Sequence, residues 1–309
     1  MKALPSGIYE QLINQAILDA IKHILDSGRM IKTESLGKYE SDLPNLLAQY
    51  LNPILRKAFS FFQDEHLSIP EQVEQCNRVI GLLSNLTGEP CLELCRLAQG
   101  DKILLSVEAF EDGSSPITLP RPSTLLSQNA LFTGSPSEPS LVQELKAEIL
   151  SADRIDLLVS FIKWSGIRLL MDELRAFTKT RPLRIITTSY IGATDFKAIQ
   201  TLSSLPNTEI RISYDSERTR LHAKAYSFYR ESGFSTAYIG SSNLSNPAIT
   251  TGLEWNVKLS EQRERDLIDQ MRMTFETYWA ASDFSLYTPA DADRLKEALR
   301  SQDRSPRAI

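Results

Sequence analysis

The sequence has 309 residues, 42% of them hydrophobic and 24% charged, with a formal net charge of −5. That length can hold two domains and at least one full core, and the composition excludes global disorder. No apolar run reaches the roughly 18 residues of a membrane span, and the opening MKALPSGIYEQ lacks a secretory apolar stretch, so a cytoplasmic protein with no membrane contact is expected.

Residues 1–110 read as an all-helical domain. Ile8, Leu12, Ile13, Ile17, Ile21 and Ile24 recur at helical spacing, and so do Leu43, Leu46, Leu47, Tyr50, Leu51, Ile54 and Leu55. Pro70 opens a third helix through Val73, Cys76, Val79, Ile80 and Leu83, and a fourth covers Cys91 to Ala98. The three cysteines, Cys76, Cys91 and Cys95, make no disulfide framework. Cys91 and Cys95 stand one helical turn apart but lack further ligands nearby, which favours buried thiols over a metal site. Residues 111–140 form a connector rich in Pro and Ser, with Pro116, Pro120, Pro122, Pro136 and Pro139.

From residue 141 strands and helices alternate. Ser140 and Gln143 suggest a capping box ahead of a helix through Leu141, Leu145 and Ile149. Strands are expected at Ile155–Phe161, Leu183–Thr188 and Glu209–Tyr214, with helices Ile167–Phe177 and Phe196–Leu205 between them. This pattern implies parallel crossovers and a sheet covered on both faces. A helix over Glu261–Ala280 closes a domain spanning 141–285. The remainder, 286–309, holds a short helix (Ala290–Leu299) and a polar tail.

Charge is uneven along the chain. Residues 151–230 hold 13 Lys and Arg against 8 Asp and Glu, a local balance of +5 within an acidic protein. Such an excess suits either a solvated mixed surface or a polyanionic partner.

The same region carries the most specific pattern. Residues 222–229 read as a strand, Glu231-Ser232-Gly233 as a turn, and Ser235–Ile239 as the returning strand. His222 and Lys224 then share one face, with the small Ala223 and Ala225 on the other. An imidazole beside an ammonium suits phosphate chemistry, one attacking phosphorus or protonating a leaving oxygen, the other stabilising the equatorial oxygens. Gly240-Ser241-Ser242-Asn243 follows, offering a sharp exit and a hydroxyl and an amide as donors. Glu254, at the start of a further strand (Glu254–Leu259), could accept a proton from one ring nitrogen of His222.

Together these residues resemble the phospholipase D superfamily, in which HxK (His222, Lys224) is followed by GSxN (Gly240, Ser241, Asn243) and an acidic residue (Glu254). The departure is Tyr229, which stands where the family usually has an aspartate, separated from HxK by four residues. The runs PRPSTLLSQNALFTG, SLVQELKAEILSADRIDLLVSFIKWSGIRLL, RIITTSYIGATD and RTRLHAKAY resemble the nuclease region at the front of bacterial superfamily II helicases, and the likeness reaches about residue 285.

The resemblance implies an α/β fold, a phospholipase D-like mixed sheet flanked by helices and preceded by an all-α domain. It implies hydrolysis of nucleic acid, DNA in preference to RNA, through a phosphohistidine, with no metal and no cofactor. His222, Lys224, Asn243, Glu254 and Ser241 are the catalytic set. Because the family pairs two HxK motifs and His23 and His66 lie in the helical region, a homodimer is expected. A helicase, fused or in trans, and a role in restriction or antiphage defence are further implications. No GxxxxGK[ST] loop is present, so no ATP hydrolysis is expected from these residues.

Strand ends add a second tier for substrate binding: Lys163, Trp164, Ser189, Tyr190, Arg218 and Arg220. The cations could contact a phosphate backbone or pair with Asp215 and Glu217; the rings could stack on bases or pack inward. Two other functions are open on the same residues. One is a phosphodiesterase acting on lipid, though no basic amphipathic helix is evident. The other is a non-catalytic module that binds nucleic acid or docks a helicase.

Overall fold

The computed structural model describes residues 4–25, 30–98, 102–107, 120–215, 221–250 and 252–303. The chain forms two compact units, Met1–Leu105 and Ser106–Ile309. In the first, α1 (Gln15–Leu25) is shorter than the periodicity from Ile8 implies. Asn14 stops it, because its Oδ1 accepts from the Ile17 N–H at 3.0 Å and so caps the first turn. α2 (Leu43–Asp64) runs through Pro53 and well past Leu55.

α3 (Ile69–Thr87) carries proline in its first turn, as expected, and a capping box in which Ser68 and Glu71 bond reciprocally. The expected fourth helix is instead a 3₁₀ turn, Pro90–Cys95. On so short and open a turn Cys91 and Cys95 find no core and are exposed, while Cys76 on α3 is half-buried, which corrects the expectation of buried cysteines.

The second unit is built on one mixed sheet of eight strands. Its elements in chain order are β1 (Ala130–Phe132), α4 (Leu141–Ser151), β2 (Arg154–Val159), α5 (Trp164–Ile167), α6 (Met171–Thr178), β3 (Leu183–Thr188), α7 (Phe196–Ser203), β4 (Thr208–Ser213) and β5 (Lys224–Tyr229). β6 (Thr236–Gly240), α8 (Asn246–Ile249), β7 (Asn256–Ser260), α9 (Arg265–Ala280), β8 (Ser285–Leu286) and α10 (Ala292–Asp303) complete it. The strand order is β1-β7-β6-β5-β2-β3-β4-β8. Only β2, β3 and β4 run parallel, joined by the helical crossovers the alternating pattern predicts; the other pairings are antiparallel.

Side chains alternate across the sheet and decide what covers it. Ile155, Leu157, Ile185, Ile210, Tyr226 and Phe228 face a core shared with Leu145, Leu174 and Ile199 of α4, α6 and α7. Ile186, Tyr229 and Ala237 point the other way, where α9 lays down Ile268 and Phe275. α9 starts at Arg265 rather than at Glu261, and the Glu261 carboxylate instead accepts from the Ser235 N–H at 3.1 Å. The C-terminal helix buries Leu295 completely in the first core, a contribution of about 1.5–3 kcal/mol for a leucine.

A buried ionic network fastens α4 to the sheet. Glu148, fully buried, accepts from Arg230 at 2.6 Å, Thr236 at 2.8 Å and Tyr238 at 2.9 Å, and lies 3.3 Å from Lys258 Nζ. Burial pushes the Glu148 carboxyl upward, but the charges of Arg230 and Lys258 with the bonds from Arg230 and Thr236 outweigh it and hold it below the usual range. Lys258 also donates to Thr124 Oγ1 at 2.8 Å, and Thr124 and Ser123 in turn donate to buried Glu144. Glu144 is thereby engaged by the preceding segment, while Ser140 stands at the start of α4 without the side-chain cap bond that a capping box needs. Residues 120–140 are therefore part of this unit: they feed the network and add the edge strand β1.

Candidate active site

The sheet brings the chemistry-bearing residues to one edge. The pairings Val159 with Lys224, Ala225 with Ile239 and Gly240 with Asn256 set the end of β2, the start of β5, the end of β6 and the start of β7 side by side. β3 and β4 run parallel to β2, so their ends open on the same edge. His222, Lys224, Ser241, Asn243 and Glu254 all stand there, as do Lys163, Trp164, Ser189 and Tyr190. Arg218 and Arg220 lie outside the described residues.

His222 precedes β5 and is exposed, while Lys224 opens the strand and is only 7% exposed. The Lys224 ammonium lies 3.1 and 3.0 Å from the two ring nitrogens of His222 and donates to the His222 carbonyl at 3.1 Å. The imidazole meets the Phe161 ring edge-on at 6.3 Å. Burial lowers the Lys224 pKa, and the charge of Glu254 opposes that shift. Burial, with the same carboxylate adding to it, pushes the Tyr226 phenol well up. Glu254 thus acts electrostatically on Lys224. Among the described residues no hydrogen bond joins Glu254 to His222, because Glu254 lies in the loop before β7 and the ring nitrogens are turned to Lys224.

The loop after β6 is held from several sides. At Gly240 a Cβ would collide with the Trp255 carbonyl, so only glycine lets the two backbones pass. Ser241 and Trp255 bond reciprocally, each backbone N–H donating at 3.0 Å, one to the Trp255 carbonyl and the other to Ser241 Oγ. The Ser241 hydroxyl proton stays available to an outside acceptor. Asn243 accepts from the Phe161 N–H at 3.2 Å through Oδ1, which leaves Nδ2 as a donor toward the edge.

Two buried residues that sequence reasoning missed do the holding. Asn256 donates from Nδ2 to Ser242 Oγ at 2.8 Å, and its Oδ1 accepts from the Ser242 N–H at 3.4 Å. Ser242 Oγ donates to the Ala248 carbonyl at 3.0 Å, and the Ser242 carbonyl accepts from Tyr226 at 2.8 Å. An asparagine two residues past a candidate glutamate, at a strand start, was the available signal.

The second-tier residues divide. Lys163 pairs with Asp195 at 3.1 Å, and Trp164 packs partly against the core with Lys197 over its ring at 4.3 Å. Ser189 is buried and donates to the Ser213 carbonyl at 3.3 Å, so its hydroxyl is committed to the fold. Tyr190 is half-buried in a short 3₁₀ turn. His66 is exposed in the first unit; the His23 side chain lies outside the described residues.

Tyr229 ends β5, seven residues from His222 and about 23 Å away at about 3.3 Å per residue. It sits between Arg154 at 4.3 Å and Arg272 at 5.0 Å, so a change at this position does not touch the site. Among the described residues, no group of three or more His, Cys, Asp or Glu stands where a metal ion could be held. No described helix is long and apolar enough to cross a membrane.

Residues 141–277 match the family described as the NgoFVII restriction endonuclease N-terminal PLD domain. Among solved structures the chain is similar to NucT from Helicobacter pylori, at 16% identity over 48% of this chain and 94% of that one, with a TM-score of 0.37. It is also similar to Nuc from Salmonella typhimurium, a phospholipase D family member, at 21% identity over 52% and 99%, with a TM-score of 0.38. These structural likenesses are too distant to carry function. No curated protein matches the sequence.

Proposed function

With residues 141–277 belonging to the phospholipase D superfamily of nucleases, we propose that the chain hydrolyses phosphodiester bonds of nucleic acid, DNA in preference to RNA, at the edge built around His222. The observation that carries this reading is the contact of exposed His222 with buried Lys224, beside the Ser241 and Asn243 donors. A phosphate placed there meets a nucleophile, a fixed cation and two neutral donors, and that combination stabilises charge at phosphorus without calling on a metal.

In the proposed reaction His222 attacks phosphorus through a ring nitrogen and the P–O bond to the leaving nucleoside breaks. The leaving oxygen takes its proton from His222 of a second copy. That imidazole then removes a proton from water, which attacks the phosphohistidine, breaks the P–N bond and frees the phosphate monoester. Lys224, Asn243 and Ser241 hold the phosphoryl oxygens, and Glu254 balances the charge on Lys224.

The chain supplies one HxK motif, so the reaction needs a homodimer. An apolar stripe of Leu131, Val257 and Ile239, in register across β1, β7 and β6 and left open by α9, borders the site and supports that reading. A helicase partner and a role in restriction or antiphage defence remain part of the proposal, on the resemblance in sequence alone.

The test is cleavage of single- and double-stranded DNA and RNA in excess EDTA, wild type against His222→Ala. Cleavage that survives EDTA and vanishes in the variant is expected. Cleavage that needs a metal and persists in His222→Ala would sink the site. A His222→Ala protein that binds DNA as wild type does, with neither cutting, would favour a binding module instead, and release of headgroup from lipid vesicles a lipid enzyme.

A further inference from the structure

Beside the catalytic edge lies a cavity of about 400 Å³ that the proposed reaction does not use. Its wall is the segment before α4, and its far side is the loop carrying α8. Phe132, Pro136, Pro139 and Leu141 give it apolar walls beside the polar Ser135, Glu138, Thr250 and Glu254, and among the described residues no Lys or Arg lines it. Its volume and lining match a pocket for one planar group rather than for a phosphate.

The two walls are fixed close together. Gly134 adopts φ +76°, and a Cβ there would strike the Gly252 carbonyl, so backbone touches backbone at the floor. Glu138 is anchored at the rim: its carboxylate accepts from the Thr133 N–H at 2.6 Å and the Thr133 hydroxyl at 2.8 Å. Those bonds, the backbone one first, hold the Glu138 carboxyl below the usual range, so it stays an acceptor at neutral pH. The Ser135 and Gly134 backbone N–H groups add smaller contributions in the same direction.

The cavity is continuous with the site. Glu254 and Asn256 line it, and these are the residues that act on Lys224 and clamp the Ser242 loop. These shared residues put the cavity next to the reacting edge, where a nucleoside flanking the scissile phosphate would lie.

We propose that this cavity receives one unstacked nucleobase next to the scissile phosphate and makes cleavage depend on the identity of that base. The apolar walls sandwich the ring, and Glu138 accepts from an exocyclic amine, so cytosine, adenine and guanine are preferred to thymine. The proposal rests on the nuclease reading above and adds a base-selecting subsite to it.

Two measurements on the full chain decide it. In the first, a single-stranded DNA pool of random sequence is cut and the product ends are sequenced. Wild type is expected to show a preference of about 10-fold at one position flanking the cut, against thymine. Ser140→Trp fills the cavity mouth from a position whose side chain makes no cap bond, and should bring that preference to within about 2-fold. With an abasic residue at the position, the two proteins should cut at the same rate. Cleavage without base preference in wild type, or with an unchanged preference in Ser140→Trp, overturns the proposal while leaving the nuclease reading intact.

The second measurement does not need turnover. His222→Ala protein is mixed with oligonucleotides carrying 2-aminopurine, whose fluorescence rises when the base leaves the stack. A rise with His222→Ala that is lost on adding Ser140→Trp supports the subsite even if no cutting is seen. No rise, or the same rise in both, overturns it.

Discussion

Replacing Glu148 with leucine would leave Arg230 and Lys258 buried without the carboxylate they share. Both side chains are almost wholly inaccessible, Lys258 at 0% and Arg230 at 4%. Removing one partner of a buried ion pair costs about 3–5 kcal/mol, because the surviving charge is stranded. Two charges are stranded here, but neither loses every partner. Arg230 keeps Ser151 Oγ at 2.7 Å and Lys258 keeps Thr124 Oγ1 at 2.8 Å, so the cost belongs within that range and not at twice it.

For a unit of this size about 2–4 °C of melting temperature is lost per kcal/mol, which places the loss for Glu148→Leu at about 6–20 °C. Thermal melts at pH 7, followed by circular dichroism, read this directly. The acid side supplies a check with a defined sign. The folded-state pKa of Glu148 is depressed, so its contribution is complete above the unfolded carboxylate range of about 4.3 and fades as pH falls through the lower folded value. Glu148→Leu should therefore approach wild type in stability as the pH drops below about 4. A loss under about 1 kcal/mol at neutral pH, or a gap that does not narrow in acid, would refute this account of the network.

Asn256→Leu removes both halves of the clamp on Ser242 while keeping the side chain's branched shape. It should lower kcat by about 10- to 100-fold with little change in KM, since misplacing a donor loop by about 1 Å is enough for that loss. A matching fall in melting temperature with unchanged kcat would mean a structural role only. Tyr229→Phe deletes a buried hydroxyl that has at most the Ser227 side chain beside it, so stability should change by no more than about 1 kcal/mol and cleavage not at all. A lost activity there would show that the far end of β5 does reach the reaction.

Much of this protein was legible in its sequence, and the reasons are local. A run of buried-type β-branched residues makes Leu183–Thr188 a strand wherever it is placed, and the spacing of His222 and Lys224 puts them on one side of a chain that is extended there. Proline at the start of α3 is likewise legible, since its constraint lies in its own backbone, whereas the need for glycine at position 240 comes from the Trp255 carbonyl. The alternation of strand and helix predicted the parallel core of β2, β3 and β4, because short crossovers leave little choice.

What tertiary structure alone decided depends on partners distant in sequence. Residues 130–132 become a strand only because β7 offers them an edge, 124 residues or more later in the chain. Glu144 and Glu148 read as the polar side of an amphipathic helix, yet both are buried, because Ser123 and Thr124 donate to the first while Lys258 and Arg230 arrive from other elements to neutralise the second. Asn256 carries no mark of its clamp until β6 and β7 pair. The same holds for Glu254: sequence order offers it to His222, but the loop before β7 sets its charge on Lys224 instead. Local steric rules act within a few residues and can be read from the chain. Neutralisation, burial and register act across the fold, and only the folded chain decides them.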